Sequence, residues 1–217
     1  MAIKKASLPK SYINIKDLGF ALLESEEDGT TKYSNVIQTR GLQEISVETG
    51  GELKNAYADG GIIESGNTDG EGTISLTMHA FPKEIRQLLF NEVYDENGVF
   101  KEVKGKQNNY VAVWFKRERR DGNYALVGLT KVMFADPAIE GETAEDEWEF
   151  SQEEVEGTAM HRLNDEVRKV MFQSDLEGAS EDKFFEDLLQ GAYNEAEEVP
   201  PTTGEVPPTT GEEPAEA

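Results

Sequence analysis

Two short runs between residues 42 and 78 decide the fold. Leu42-Gln-Glu-Ile-Ser-Val47 sets Ile45 and Val47 on one side, with Glu44, Ser46 and Glu48 on the other. Thr73-Ile-Ser-Leu-Thr-Met78 repeats the pattern, with Ile74, Leu76 and Met78 opposite Thr73, Ser75 and Thr77. Alternation with a period of two predicts strands that are apolar on one face and wet on the other. Between them, Thr49 to Gly72 holds seven glycines and five acids. This reads as a polar, flexible loop, and a connection that long inside a compact domain is usually functional or disordered.

Further strands extend outward from this pair. Asp17-Leu-Gly-Phe-Ala-Leu-Leu23 and Thr31-Lys-Tyr-Ser-Asn-Val-Ile37 flank Asp28-Gly29, a hairpin signal. After Phe81, Pro82 suits the first position of a helix whose Ile85, Leu88 and Leu89 fall on one stripe. Asp95-Glu-Asn-Gly98 reads as a turn. Tyr110-Val-Ala-Val-Trp-Phe115 is apolar on both faces, as a strand covered on both sides would be. Arg120-Asp-Gly-Asn123 turns the chain into a strand over Tyr124 to Phe134, and Glu147-Trp-Glu-Phe150 alternates again. Val155 to Leu163 and Glu166 to Phe172 are expected to pair across Asn164-Asp165. Ser180 caps a last helix carrying Phe184, Phe185, Leu188 and Leu189. The sum is a mainly β sandwich or barrel of about eight strands with a flanking helix.

The chain of 217 residues carries a formal charge of −23, which disfavours affinity for a phosphate backbone. It has no cysteine, so neither disulfides nor a thiolate nucleophile are available. No run is long and apolar enough for a signal peptide or a membrane span, so synthesis in a cytoplasm is the expectation. Residues 191–217 hold seven glutamates and no Lys or Arg, leaving the body at −16. Within them, Glu198-Val-Pro-Pro-Thr-Thr-Gly204 is repeated as Glu205-Val-Pro-Pro-Thr-Thr-Gly211. Such a segment is extended and lacks the apolar content to fold. Its removal after Gln190 is expected to leave any assembly intact. The division expected is a β domain over 1–175, a short helix over 176–190 and a disordered tail over 191–217.

Catalytic chemistry finds little support. The two histidines, His79 and His161, stand near no nucleophile motif. Among 44 acids, some carboxylate pair is close by chance. Asn67-Thr-Asp-Gly-Glu-Gly72 has the look of a calcium loop, but the position of the required bidentate acid is Met78. No cofactor or metal is expected. Charge is segregated instead. Residues 140–156 hold nine acids and no base, whereas Lys116, Arg117, Arg119 and Arg120 cluster at a hairpin tip. These groups are expected to meet across subunits and set register.

Taken together, the segments resemble the major tail proteins, or tail tube proteins, of long-tailed non-contractile bacteriophages. The matching pieces are Gly41 with Glu44-Ile-Ser-Val47, Leu53 with Tyr57-Ala-Asp59, Glu64, and Glu71-Gly-Thr-Ile-Ser-Leu76. They continue with Leu88-Leu89, Gly98, Tyr110-Val-Ala-Val-Trp-Phe-Lys116, Asp121-Gly-Asn-Tyr124, Lys131 to Phe134 and Glu156-Gly-Thr158. The resemblance spans roughly Leu18 to Phe172 and fades after Gln173.

It implies a structural virion protein, not an enzyme, that assembles into stacked hexameric rings around a DNA channel. Its partners would be its own copies together with tape measure, tail terminator and distal tail proteins. DNA would pass without specific binding, and no membrane is involved. Glu44, Ser46, Glu48, Ser75 and Thr77 would then face the lumen. Leu53, Tyr57, Asp59, Glu64 and Asp69 would lie on a loop reaching the next ring. The competing expectation is a surface or carbohydrate-binding β-sandwich module.

Overall fold

The computed structural model describes residues 9–27, 29–58, 61–139 and 152–190. Ten strands and two helices follow in the order β1 (Tyr12–Glu27), β2 (Thr30–Thr39), β3 (Leu42–Glu48), β4 (Leu53–Ala58), β5 (Gly61–Asn67), β6 (Gly72–Met78), α1 (Lys83–Phe90), β7 (Tyr110–Arg119), β8 (Tyr124–Phe134), β9 (Glu153–Met160), β10 (Lys169–Gln173) and α2 (Glu181–Leu189). The chain is mainly β, as its alternation requires. Eight strands form one antiparallel sheet in the order β2-β1-β7-β8-β9-β6-β3, with β10 also paired to β8. β4 and β5 pair only with each other.

The expected sandwich is realised as a single sheet folded over itself. Ile74, Leu76 and Met78 of β6 and Val155 of β9 share a core with Leu18 and Phe20 of β1 and Val111, Val113 and Phe115 of β7. Phe20 and Phe134 meet edge-to-face with centroids 6.3 Å apart. Helix α1 packs on this core through Ile85, Leu88, Leu89 and Phe90. Each such side chain stabilises by about 1.5–3 kcal/mol on burial. Pro82 sits at the N-cap, one residue before the first helical position expected of it. Its side chain cannot cap, and the Glu153 carboxylate accepts from the Phe81 N–H at 2.8 Å just upstream. At the other end Asn91 closes α1 in the left-handed conformation, its N–H bonded to the Gln87 carbonyl.

β7 is buried on both faces because its two side-chain rows serve two cores. Val111, Val113 and Phe115 face the α1 side, and Ala112 and Trp114 face α2 with Phe184, Phe185, Leu188 and Leu189. Ser180 caps α2 by accepting from the Lys183 N–H. Helix α2 is therefore part of the packed body, not an appendage to it. Close approach there requires glycine. A Cβ on Gly19 would lie 2.2 Å from the Trp114 ring, and one on Gly128 would lie 2.7 Å from Leu188.

The structure corrects two expectations. Residues 155–163 and 166–172 form no strand ladder with each other, meeting only at the turn where the Arg162 N–H bonds the Val167 carbonyl at 3.0 Å. β9 pairs with Lys131–Phe134 and β10 with Ala125–Leu129, so both lie on the same edge of β8. They are in effect one strand, broken by an excursion over 161–168. Thr130 fills the gap: its N–H and hydroxyl donate to the carbonyls of Arg168 and Val167, and its own carbonyl accepts from the Tyr33 hydroxyl at 2.8 Å. Second, the described residues of 49–72 are not an irregular loop but include two paired strands. Their centre is the β4–β5 ribbon. The expected strand over Glu147–Phe150, most of the acidic run from 140 and the tail repeat lie outside the described residues.

Candidate assembly surfaces

The wet face anticipated on β3 and β6 exists and is wider than anticipated. Register places Glu44 opposite Thr77, Ser46 opposite Ser75 and Glu48 opposite Thr73. β9 extends each row, setting Glu154 beside Thr77, Glu156 beside Ser75 and Thr158 beside Thr73. The Ser75 hydroxyl donates to the Glu154 carboxylate at 2.8 Å. Four carboxylates and no Lys or Arg thus line three adjacent strands. Glu154 and Glu156 were legible only as part of a charge run, although their alternation around Val155 marks them as one face of a strand. β3 ends the sheet on this side and β2 ends it on the other, and neither outer edge has a strand neighbour among the described residues. Such open edges template pairing with another chain.

The β4–β5 ribbon is the least expected surface. Leu53, Tyr57, Ile62 and Ile63 are 69%, 69%, 55% and 68% exposed. Glu64 is exposed beside them, opposite Ala56, and a bulge follows where Tyr57 takes Ile62 as its partner. Asp59 lies outside the described residues. A two-stranded ribbon on its own is marginal in water, so its base matters. There Glu52 and Thr68 exchange backbone and hydroxyl hydrogen bonds at 2.8–3.0 Å. The strands cross so closely that a Cβ on Gly51 would stand 2.2 Å from the Thr68 carbonyl oxygen. Gly51 also has φ +118°, which no L side chain adopts readily. The Arg168 guanidinium bonds the Gly70 carbonyl, and Asp69 lies 3.6 Å from His161 Nε2. The residues that suggested a calcium loop are thus engaged in fixing the ribbon to the β9–β10 excursion. Among the described residues no cluster of three or more His, Asp or Glu is placed to hold a metal.

The basic group at the end of β7 is spent largely within the chain. Arg119 is buried and bonds Asp175 at 2.6 Å and Gln173 at 2.7 Å. The Tyr12 hydroxyl and Asp175 hold its guanidinium above its ordinary value. Arg117 stacks on the Tyr12 ring at 3.9 Å, and Lys116 lies over Tyr124 at 4.0 Å with Asp17 and Glu181 nearby. Hydrogen bonding to Glu181 pushes the Tyr124 phenol up to about 12. Of the four, only Arg120 is exposed. The expectation of a four-residue intersubunit cluster therefore fails for Arg119, because its charge is already paired inside the fold. Arg117→Glu with Arg120→Glu is expected to leave the urea midpoint nearly unchanged, whereas adding Arg119→Glu lowers it sharply. Equal midpoints for the double and triple variants would contradict this placement.

No family model and no curated protein matches this chain. Among solved structures, one titled "Cryo-EM structure of the anti-feeding prophage cap (AFP tube terminating cap)" superposes with a TM-score of 0.40 and 10% sequence identity, covering 79% of this chain and 95% of that one. None of the described helices is long and apolar enough to cross a membrane.

A structural centre that sequence reasoning missed lies at Arg162, which is 2% exposed. Its guanidinium bonds both oxygens of Asp165 at 2.9 and 2.5 Å and the α2 carbonyls of Leu188 and Asp187 at 2.9 and 3.0 Å. Burial works against its charge, but the Asp165 and Tyr33 hydrogen bonds outweigh that and hold it protonated. Burial also pushes the neighbouring Tyr33 phenol up to about 12. A cation at a helix C-terminus satisfies orphan carbonyls and opposes the negative end of the dipole. Gln190 joins the arrangement by accepting from the Asn164 side chain at 2.9 Å. In sequence Arg162 is one more charge in a polar turn.

Proposed function

We propose that this chain is the self-assembling subunit of a phage tail tube, built as hexameric rings stacked along a DNA channel. The observation that supports this most is the ribbon. Four large apolar side chains exposed together on a pinned two-stranded arm gain nothing for a monomer, and exposed apolar surface of this kind marks an interaction site. Open edges on β2 and β3 add to it, since closing them between neighbours removes the unpaired backbone groups a lone sheet presents.

In this reading the β3-β6-β9 face lines the channel. Its carboxylates repel the DNA phosphates, so nucleic acid slides past without the Lys and Arg contacts that would hold it. The subunit's role is geometric and involves no catalytic step. Its partners are its own copies and the tape measure, terminator and distal tail proteins of a virion. Negative-stain microscopy and sedimentation velocity of the purified chain test the proposal. Rings or hollow tubes with a wall one subunit thick are expected. Monomers at every concentration and ionic strength would overturn it.

A further inference from the structure

The ribbon has no core of its own to hold its direction. Every described apolar residue between 49 and 71 is exposed, so the packing that orients the strands of the main sheet is absent. Its ladder is also separate from theirs. β3–β6 pairing ends at Glu48 opposite Thr73, and β4–β5 pairing begins at Leu53 opposite Asn67. Four residues on one side, 49–52, thus face five on the other, 68–72, and an unequal count of this kind bends and twists a hairpin. The two backbones cross there in contact. A Cβ on Gly50 would stand 1.8 Å from the Glu71 carbonyl oxygen, and one on Gly70 would stand 2.9 Å from the Gly51 nitrogen. With no side chain to wedge it and glycine on both strands, the crossing can pivot.

Arg168 supplies the restraint that the crossing lacks. It stands at the end of the 161–168 excursion with its side chain 14% exposed, and its guanidinium donates to the Gly70 carbonyl inside the bend. It also lies 3.9 Å from Asp69, which His161 faces from the same excursion at 3.6 Å. Those ion pairs contribute little, because the Asp69 side chain is 76% exposed. The charge-assisted bond to a backbone carbonyl is the stronger restraint. A latch needs a rigid frame behind it, and the excursion is one. The Arg162 N–H bonds the Val167 carbonyl and the Glu166 N–H bonds the Arg162 carbonyl, both at 3.0 Å. The Leu163 N–H donates to the Glu26 carboxylate at 2.9 Å, and the carbonyl of Arg168 itself accepts from the Thr130 N–H of β8 at 3.0 Å.

We infer that Arg168 is the positioning residue of the ribbon, a latch that holds the arm at one angle to the body so that a neighbouring subunit meets it already oriented. The inference rests on the tube reading and names the residue that prepares its contact. A segment that is competent only part of the time binds with its affinity reduced by that fraction. Unlatching that leaves the arm correctly aimed about a tenth of the time therefore weakens each contact about tenfold.

The absence of native cysteine permits a single pair of spin labels. Labels at Ala56→Cys on the ribbon and Glu84→Cys on α1, both exposed positions, read the angle by double electron–electron resonance below the concentration at which the chain assembles. The chain with Arg168 intact should give one narrow distance distribution. Arg168→Met should broaden it, leave the urea midpoint close to that of the wild type, and raise the concentration needed for assembly of the unlabelled chain about tenfold. Arg168→Lys keeps the charge and the packed stem but not the fork, so it should fall between the two. It also carries the comparison if the methionine variant fails to fold. A distribution already broad with Arg168 intact, or one as narrow in Arg168→Met, would overturn the latch. A broadened distribution with unchanged assembly would overturn its part in the contact. A wild-type chain that stays monomeric would overturn the tube reading, while the label distances would still decide the latch.

Discussion

Replacing Leu53, Tyr57, Ile62 and Ile63 together by threonine is expected to abolish polymerisation while leaving the monomer as stable as the wild type. All four are more than half exposed in the subunit, so the fold loses little, and surface changes of this kind usually fall within about 0.5 kcal/mol. Threonine keeps the strand propensity of β4 and β5, so the ribbon itself is preserved. Burial against a neighbour is where these side chains contribute, at roughly 1.5–3 kcal/mol each when fully covered. Even half of that over four residues exceeds about 3 kcal/mol, which weakens each contact by more than about a hundredfold. Sedimentation velocity against concentration reads the loss, and urea unfolding reads the unchanged fold. Normal tube assembly by the quadruple variant would remove the ribbon from any account of the polymer.

Arg162→Met should have the largest effect on stability. The substitution keeps much of the volume but strips donors from Asp165 and from the carbonyls of Leu188 and Asp187. Breaking a fully buried pair by removing one partner typically costs about 3–5 kcal/mol, and because the Asp165 side chain is 34% exposed the cost here falls toward or below the lower figure. The consequence is expected to be local before it is global. Helix α2 loses its C-terminal anchor, and Phe185, edge-to-face on Trp114 at 5.7 Å, goes with it. A fall in the urea midpoint accompanied by altered Trp fluorescence below the main transition is the expected signature. An unchanged midpoint would show that the anchor is dispensable.

The same pair gives a pH dependence of definite sign. Hydrogen bonding to Arg162 holds the Asp165 carboxyl below the usual carboxylate range, despite an opposing contribution from burial. A depressed folded-state value stabilises the fold above the unfolded value of about 4, and that stability is lost as pH falls through the folded value. Stability should therefore drop on acidification below about pH 4. Arg162→Met should make the drop shallower, because Asp165 then titrates nearly alike in both states. A parallel acid limb in the variant would assign the dependence to other carboxylates.

The pairing of β1 with β2, the apolar stripe of α1, the two faces of β7 and the cap of α2 were legible because each depends on neighbours within a few residues. The β4–β5 ribbon was not. Its glycines and acids lowered the apparent strand signal, and its exposed Leu53, Tyr57 and Ile62 break the alternation that marks a half-buried strand. The wet face was half legible: β3 and β6 announced their share, while β9 supplied Glu154 and Glu156 from 77 and 81 positions downstream of their partners Thr77 and Ser75. Arg119 misled in the opposite direction. A run of basic residues reads as surface, yet one member is buried by Asp175 and Gln173, partners that only folding brings near.

By itself the sequence determined that this chain is a β protein with one wet, acidic strand face, two short amphipathic helices and no cysteine. Those properties follow from periodicity and composition, which are local. Tertiary structure alone decided that the strands form one folded sheet, that β9 and β10 share an edge of β8, and that Arg162 fastens α2. It also decided that the long connection is a pinned ribbon presenting apolar side chains outward. The reason is physical: register, burial and the partner of a charge are set by contacts between residues far apart in sequence, and no local pattern encodes which contacts close.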